Sequence, residues 1–379
     1  MSSAPLLSVR GLNVQFTGER TAQALTDLNF DLAAGEVLGL IGESGSGKSV
    51  TLRTLLRLHT PATTRITGQV HVDGQDVLAL KGAALQHYRG GVVSMVFQEA
   101  GLAFDPVYTI GQQIAQTIQA HEAVNGKTAR KRALDMLERV QIPQAARRLD
   151  AYPHELSGGM KQRAMIALAL SCSPRILLAD EPTTALDATV QIQILLLLRE
   201  LQRENAMSVI FVTHDIGAAV EVADRIAVMY AGRMVEDAHV QQLMTAPRHP
   251  YSAGLLASTV TSSSRGAPLP TIRGAPPDLS RLPAGCAFAP RCDHAREACL
   301  REAPPVEGNG RRALACWYPL ESSGVPAAAV WGGAWSRCPY PLCVLSFQFS
   351  VITEIQVESC HDVTKPSPSP QPPVRRALW

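Results

Sequence analysis

The apolar positions of this chain change their period twice. Between residues 6 and 41, short β-rich runs (Leu6 to Arg10, Leu12 to Phe16, Ala24 to Leu32 and Val37 to Ile41) alternate with turn residues and predict strands. Ser49 to Leu58 then carries Val50, Leu52, Leu55, Leu56 and Leu58 at helical spacing, while Gly68 to Asp73 and Val92 to Phe97 read as further strands. From Ile110 to about Ser171 the period is helical. Ile110, Ile114 and Ile118, then Ala133, Leu134, Leu137 and Val140, give one buried face, which predicts a helical insertion. Beyond it, the apolar runs Ile176 to Leu178 and Ser208 to Val212 are followed by helical patterns at about 188 to 204 and 215 to 223. In the first of these, Ile192, Ile194 to Leu198 and Leu201 supply a core stripe. This βαβ rhythm calls for a parallel sheet covered on both faces.

Composition changes near residue 245. Pro and Gly become frequent, helical periodicity fades, and Cys286, Cys292, Cys299 and Cys316 fall within 31 residues, so a separate small module is expected over 246–320. From 321 to 379 the chain reads as linker or disorder, ending in Pro366, Pro368, Pro370, Pro372 and Pro373. With 379 residues, 46% of them hydrophobic, the chain is long enough to bury a full core. Its formal charge of +2 gives no bulk attraction to nucleic acid or an anionic membrane, and the run Lys127, Arg130, Lys131, Arg132 reads as a solvated helix face. Met1 to Arg10 lacks the pattern of a secretory signal. No window reaches the roughly 18 to 20 apolar residues of a membrane span, Leu342 to Ile352 being short and broken by Ser346, Gln348 and Ser350. Reduced thiols are therefore expected, and any membrane role would run through partners.

Candidate chemistry concentrates at five places. Gly42-Glu43-Ser44-Gly45-Ser46-Gly47-Lys48-Ser49 follows a predicted strand and opens a predicted helix, the arrangement of a phosphate loop. Its glycines let backbone N–H groups approach a polyphosphate, Lys48 reaches the terminal phosphates, and Ser49 offers a hydroxyl to Mg²⁺. Asp180 and Glu181 follow an apolar strand, which puts both carboxylates at the sheet's C-terminal edge: Asp180 for Mg²⁺ through water, Glu181 to orient or deprotonate the attacking water. His214, after the strand ending at Thr213, is placed to donate to the γ-phosphate or the water. Gln98 follows another strand, within reach of Mg²⁺ or the water. The fifth place is a second glycine loop, Leu156-Ser157-Gly158-Gly159-Met160-Lys161-Gln162-Arg163.

The ordered set Phe97-Gln98, Leu156 to Gln162, Asp180-Glu181, Ala185-Leu186-Asp187 and Thr213-His214 resembles a complete ATP-binding cassette (ABC) ATPase subunit over residues 1–245, its helical insertion spanning about 99–171. The resemblance implies a phosphate-loop core, a mixed sheet with helices on both faces, an antiparallel β subdomain, the helical insertion and a small Cys-rich C-terminal module. It implies that Ser157, Gly158, Gly159 and Gln162 act in trans on nucleotide held by a partner's phosphate loop. By the same resemblance Asp187 stabilises that dimer interface, Phe16 stacks on adenine, and Val50 joins Gly42 to Ser49 in the nucleotide site.

Further segments, Pro182 to Asp187, Arg248-His249-Pro250-Tyr251, Ile272 to Pro277 and Gly285 to Cys292, are similar to the ATP-binding subunits of bacterial dipeptide and oligopeptide importers, a pattern shared with nickel and glutathione importers. That similarity implies a peripheral subunit on the cytoplasmic face of the inner membrane, working with a second ATPase subunit of paralogous sequence, two membrane permease subunits and an extracytoplasmic substrate-binding protein, and not with nucleic acid. It also implies a [4Fe-4S] cluster on Cys286, Cys292, Cys299 and Cys316. Their intervals of 5, 6 and 16 residues by themselves indicate only a possible soft-metal site, with Zn²⁺ and unliganded thiols as rivals. Cys338, Cys343 and Cys360 read as isolated thiols of the tail. A soluble ABC protein acting on ribosomes or DNA is the competing class. It would call for tandem cassettes, a long coiled-coil insertion or a basic face. A phosphate-loop kinase is opposed by the second glycine loop.

Overall fold

The structure, a computed structural model, describes residues 4–18, 20–184, 186–258, 270–308 and 312–321. Strands β1 (Leu7–Phe16), β2 (Ala22–Leu32) and β3 (Val37–Ile41) lead into helix α1 (Lys48–Leu55), β4 (Thr64–Val72), β5 (Gln75–Asp76), α2 (Gly82–His87) and β6 (Val93–Val96). The helical insertion comprises α3 (Ile110–His121), α4 (Gly126–Arg139), α5 (Ala145–Arg148) and α6 (Gly158–Leu170). There follow β7 (Ile176–Asp180), α7 (Ala188–Glu204), β8 (Ser208–Thr213), α8 (Ile216–Val222), β9 (Arg225–Tyr230), β10 (Arg233–His239), α9 (Val240–Thr245), α10 (Pro250–Ala257), α11 (Glu297–Arg301), β11 (Glu307–Gly308) and β12 (Arg312–Leu314). None of the described helices is long and apolar enough to cross a membrane.

Two sheets organise the chain. The smaller runs β2-β1-β4-β5 and is antiparallel; β1 is one strand where two runs were expected, its register shifting between Val9 and Leu12. The larger runs β11-β12-β10-β9-β3-β8-β7-β6, parallel from β9 to β6 and antiparallel beyond β9. Its buried strands alternate between two cores, as the period of two requires. Leu177, Ala179, Val209 and Phe211 pack with the helical insertion and α7, whereas Ile176, Leu178, Ile210 and Val212 pack with α1 and the antiparallel sheet.

The segment expected to stand apart beyond residue 245 joins this sheet. β12 pairs with β10, Glu236 opposite Leu314. Glu236, fully buried on β10, accepts the backbone N–H groups of Arg248 and His249 at 2.9 Å each. Those two charge-assisted bonds tie the start of the segment to the sheet edge. Short edge strands in a Pro-rich stretch leave no period to read, which is why composition alone suggested a boundary. The predicted tail, 321–379, lies outside the described residues except for Glu321.

Candidate nucleotide site

β3 ends at Ile41 in the middle of the large sheet, and the chain turns at Gly42 into the phosphate loop. Gly42 has φ +152, and a Cβ there would lie 2.2 Å from the Met229 carbonyl oxygen, so only glycine allows the loop to pass this close to β9. The loop is held from outside as well: Gly232 N–H donates to Ser46 O (3.0 Å) and Thr26 N–H to Gly232 O (2.9 Å), which joins the antiparallel sheet to the loop. Ser44 and Gly45 are exposed at its tip, while Ser46, Gly47 and Lys48 are buried. The Lys48 ammonium folds back over the loop, donating to Gly42 O (2.7 Å) and Glu43 O (3.0 Å). Burial lowers its pKa, and the carboxylates of Glu181, Asp180 and Glu43 oppose that shift by favouring the charged form. Val50 lies one residue further into α1, partly buried against the core behind the loop.

Two strands away, β7 delivers the carboxylates. Asp180 is buried, and its Oδ1 accepts from the Ser49 hydroxyl at 2.8 Å; burial raises its pKa, partly offset by that bond. Hydroxyl and carboxylate side by side are hard oxygen donors of the kind that would hold Mg²⁺ beside a triphosphate, directly or through water. Glu181 has φ +46, a left-handed conformation that costs energy for a residue with a Cβ, and its N–H is tied to Val212 O on β8 at 3.0 Å. Its Oε2 gathers three neighbours: Gln98 Nε2 at 3.2 Å, His214 Nδ1 at 3.2 Å and the Thr184 hydroxyl at 3.0 Å. Three residues picked from separate stretches of sequence, Gln98, Glu181 and His214, thus meet at one oxygen. Thr184 was missed, because a threonine in a turn carries no signal of its own.

Ser157, by contrast, makes none of its hydrogen bonds with the chain's own phosphate loop among the described residues. Its hydroxyl caps α6, accepting from Met160 N–H at 3.3 Å, and so leaves a helix N-terminus at the surface. A Cβ on Gly159 would sit 2.9 Å from Val190 Cγ1, so glycine is what lets α6 lie against α7. Gln162 is buried within the chain, its Nε2 without a partner among the described residues, rather than exposed beside Ser157. The Asp187 carboxylate caps α7, accepting from Val190 N–H at 3.0 Å. Phe16 stands opposite Ala22 at the end of β1, partly buried and edge-on to His59 with ring centroids 5.3 Å apart.

Comparison with known proteins places this geometry. Residues 25–184 match the ABC transporter family, and residues 235–299 match the oligopeptide/dipeptide transporter C-terminal region. Over 317 residues the chain is 48% identical to a peptide import ATP-binding protein of Brucella abortus (strain 2308), covering 83% of this chain and 96% of that one. The chain belongs to the ATP-binding subunits of ABC transporters. A like-named protein of Brucella melitensis biotype 1 is 46% identical over 319 residues, covering 81% and 94%. Solved structures agree. A bacterial ABC transporter cassette, a dimer with ADP and Pi in a post-hydrolysis state, has a TM-score of 0.56 at 31% identity, covering 62% of this chain and 98% of its own. The cbiO1 protein of Clostridium perfringens, part of the ABC transporter complex cbiONQ, has a TM-score of 0.55 at 26% identity, covering 64% and 91%. This ABC subunit is an ATP-hydrolysing enzyme, and its mixed α/β sheets with helices are the ABC ATPase fold that its nucleotide-site motifs implied.

In the ABC subunit's C-terminal segment, Cys286, Cys292, Cys299 and Cys316 line one pocket together with His249, Phe288 and Trp317. Burial raises the thiol pKa values of Cys286 and Cys292 and pushes that of Cys316 up to about 11, neighbouring thiols adding to each shift. The donor set suits a soft metal. Its arrangement stops short of ligation: among the described residues, no group of three or more His, Cys, Asp or Glu side chains is placed to hold a metal ion. Sequence reasoning also passed over two residues of this segment that touch the phosphate loop. Tyr251 and Arg291 lie within segments recognised only as family resemblance, and nothing in their local pattern announces contact with Glu43.

Proposed function

We propose that the chain energises uptake of di- or oligopeptides through permease subunits, bound at the cytoplasmic face of a bacterial inner membrane. The observation that carries this reading is the match of residues 235–299 to the oligopeptide/dipeptide transporter C-terminal region, on a segment that packs against the ATP site itself through Tyr251. The names of the Brucella relatives, peptide import ATP-binding proteins, support the cargo class. An apolar surface supports the permease partner: Leu102, Val107 and Tyr108, on the stretch that follows Gln98, are 81%, 68% and 45% exposed. A permease helix seated there would feel any movement of Gln98 when nucleotide binds.

ATP binding closes this chain on a second cassette, of paralogous sequence, with Ser157, Gly158 and Gly159 facing the partner's γ-phosphate and Asp187 at the seam. Phe16 stacks on the adenine. The substrate-binding protein delivers cargo from the far side. The four C-terminal cysteines would hold a [4Fe-4S] cluster in a small Cys-rich module by closing on it from their unligated arrangement, a reading supported by their sharing one pocket.

The test is reconstitution of the chain with its permease subunits, partner cassette and substrate-binding protein in vesicles. Peptide-stimulated ATP hydrolysis and peptide accumulation are expected. Accumulation of nickel or glutathione in place of peptide would reassign the cargo, and a chain that fails to associate with any permease would overturn the reading.

A further inference from the structure

Arg291 reaches from the C-terminal segment into the phosphate loop. Its Nη1 and Nη2 donate to Glu43 Oε2 and Oε1 at 2.6 and 2.9 Å, a two-point pairing across 248 residues of sequence. The guanidinium is itself pinned in place: Nε donates to Arg273 O at 2.7 Å, Nη1 also donates to the Tyr230 hydroxyl at 3.2 Å, and its carbon lies 5.7 Å from the Tyr230 ring centroid. The side chains of Arg291 and Glu43 are 6% and 26% exposed. Beside them the Tyr251 hydroxyl, on α10, accepts the Glu43 backbone N–H at 2.8 Å. Glu43 is therefore gripped at main chain and carboxylate alike by residues outside the catalytic core.

The position of Glu43 makes this grip consequential. It is the residue after Gly42, and its carbonyl is one of the two that hold the Lys48 ammonium. An unpaired carboxylate at this point of the loop would repel a triphosphate, and a loop free to rotate at Glu43 would lose the alignment of its N–H donors. Arg291 neutralises the carboxylate and Tyr251 fixes the backbone.

We propose that Arg291, with Tyr251, is a positioning residue of the nucleotide site, so that the C-terminal segment sets the affinity of the phosphate loop for ATP. The inference rests on the ATPase reading. A pair that merely staples the segment to the core would change stability and leave nucleotide affinity alone.

Equilibrium binding of a non-hydrolysable ATP analogue to the full chain, with KM and kcat for the assembled transporter, separates the two. Arg291→Gln is expected to weaken binding and raise KM about tenfold while kcat stays within about twofold, because one partner of a shielded ion pair has been removed and the other left. The double variant Arg291→Gln/Glu43→Gln should bind the analogue as Glu43→Gln alone does, the coupling expected of two groups that act through each other. Tyr251→Phe keeps the buried ring and deletes only the acceptor oxygen, so it reads the same effect even where Arg291→Gln fails to fold, at about threefold weaker binding. Unchanged affinity in both Arg291→Gln and Tyr251→Phe, or effects of Arg291→Gln and Glu43→Gln that simply multiply in the double variant, would overturn the proposal. An unmodified chain that binds no analogue would overturn the ATPase reading with it.

Discussion

Nδ1 of His214 lies 3.2 Å from Oε2 of Glu181, although the two residues end different strands, β8 and β7. The contact orients the carboxylate at the sheet edge, where the proposed mechanism places the attacking water. Substituting Glu181 by Gln keeps the shape and removes the basic oxygen. ATP binding should persist while steady-state phosphate release falls at least about 100-fold, the range for loss of a positioned general base. Normal turnover in that variant would remove the role assigned to Glu181.

Thr184 donates to the same oxygen at 3.0 Å. Thr184→Val deletes that donor at nearly constant volume, and one hydrogen bond to a charged group is worth about 1.5 to 3 kcal/mol. Only a fraction of that need appear in the transition state, so kcat should fall about 3- to 30-fold with nucleotide affinity retained. Single-turnover kinetics would check this; an unchanged rate would make Thr184 a turn residue only.

The buried carboxylate of Glu236 accepts two backbone N–H groups, those of Arg248 and His249. Glu236→Gln turns one acceptor into a donor facing an N–H, so about 2 kcal/mol of stability should be lost. Chemical denaturation would measure it. Because the lost bonds anchor the turn that leads to Tyr251, ATP affinity should fall in the same variant.

The cysteine pocket gives an analytical test. Protein purified without oxygen should contain iron and acid-labile sulfide near four of each per chain, the composition of a [4Fe-4S] cluster, and Cys299→Ala should lose both. Stoichiometric zinc would replace the cluster with a four-thiolate zinc site, and absence of any metal would leave four unliganded thiols.

The placement of the phosphate loop, Asp180, Glu181 and His214 was legible because each ends or follows an apolar strand. β3 matched its expected bounds, Val37–Ile41, and the ends of β7 and β8 put Asp180, Glu181 and His214 where a parallel sheet gathers its ligands. Less was legible where contacts are long in sequence and short in space. The strands β9 and β10 passed unnoticed, and with them the edge on which β12 pairs. The bond from Arg291 to Glu43 joins two charged residues that composition would place separately in solvent, and no periodic signal can pair them. Gln162 was not legible in its burial. It sits in a recognised motif, yet α6 turns it inward against the core.

The central claim is that ATP is hydrolysed only between two chains, since among the described residues Ser157 makes no hydrogen bond with the phosphate loop of its own chain. The most direct measurement is ATP turnover per chain across a dilution series, with the association state read in parallel by sedimentation and with the partner cassette present or absent. The account predicts negligible turnover by the monomer, turnover that rises with the population of paired chains, and its loss at the partner's site when Ser157 is replaced by Arg. A strictly monomeric chain hydrolysing ATP at the full rate would contradict it.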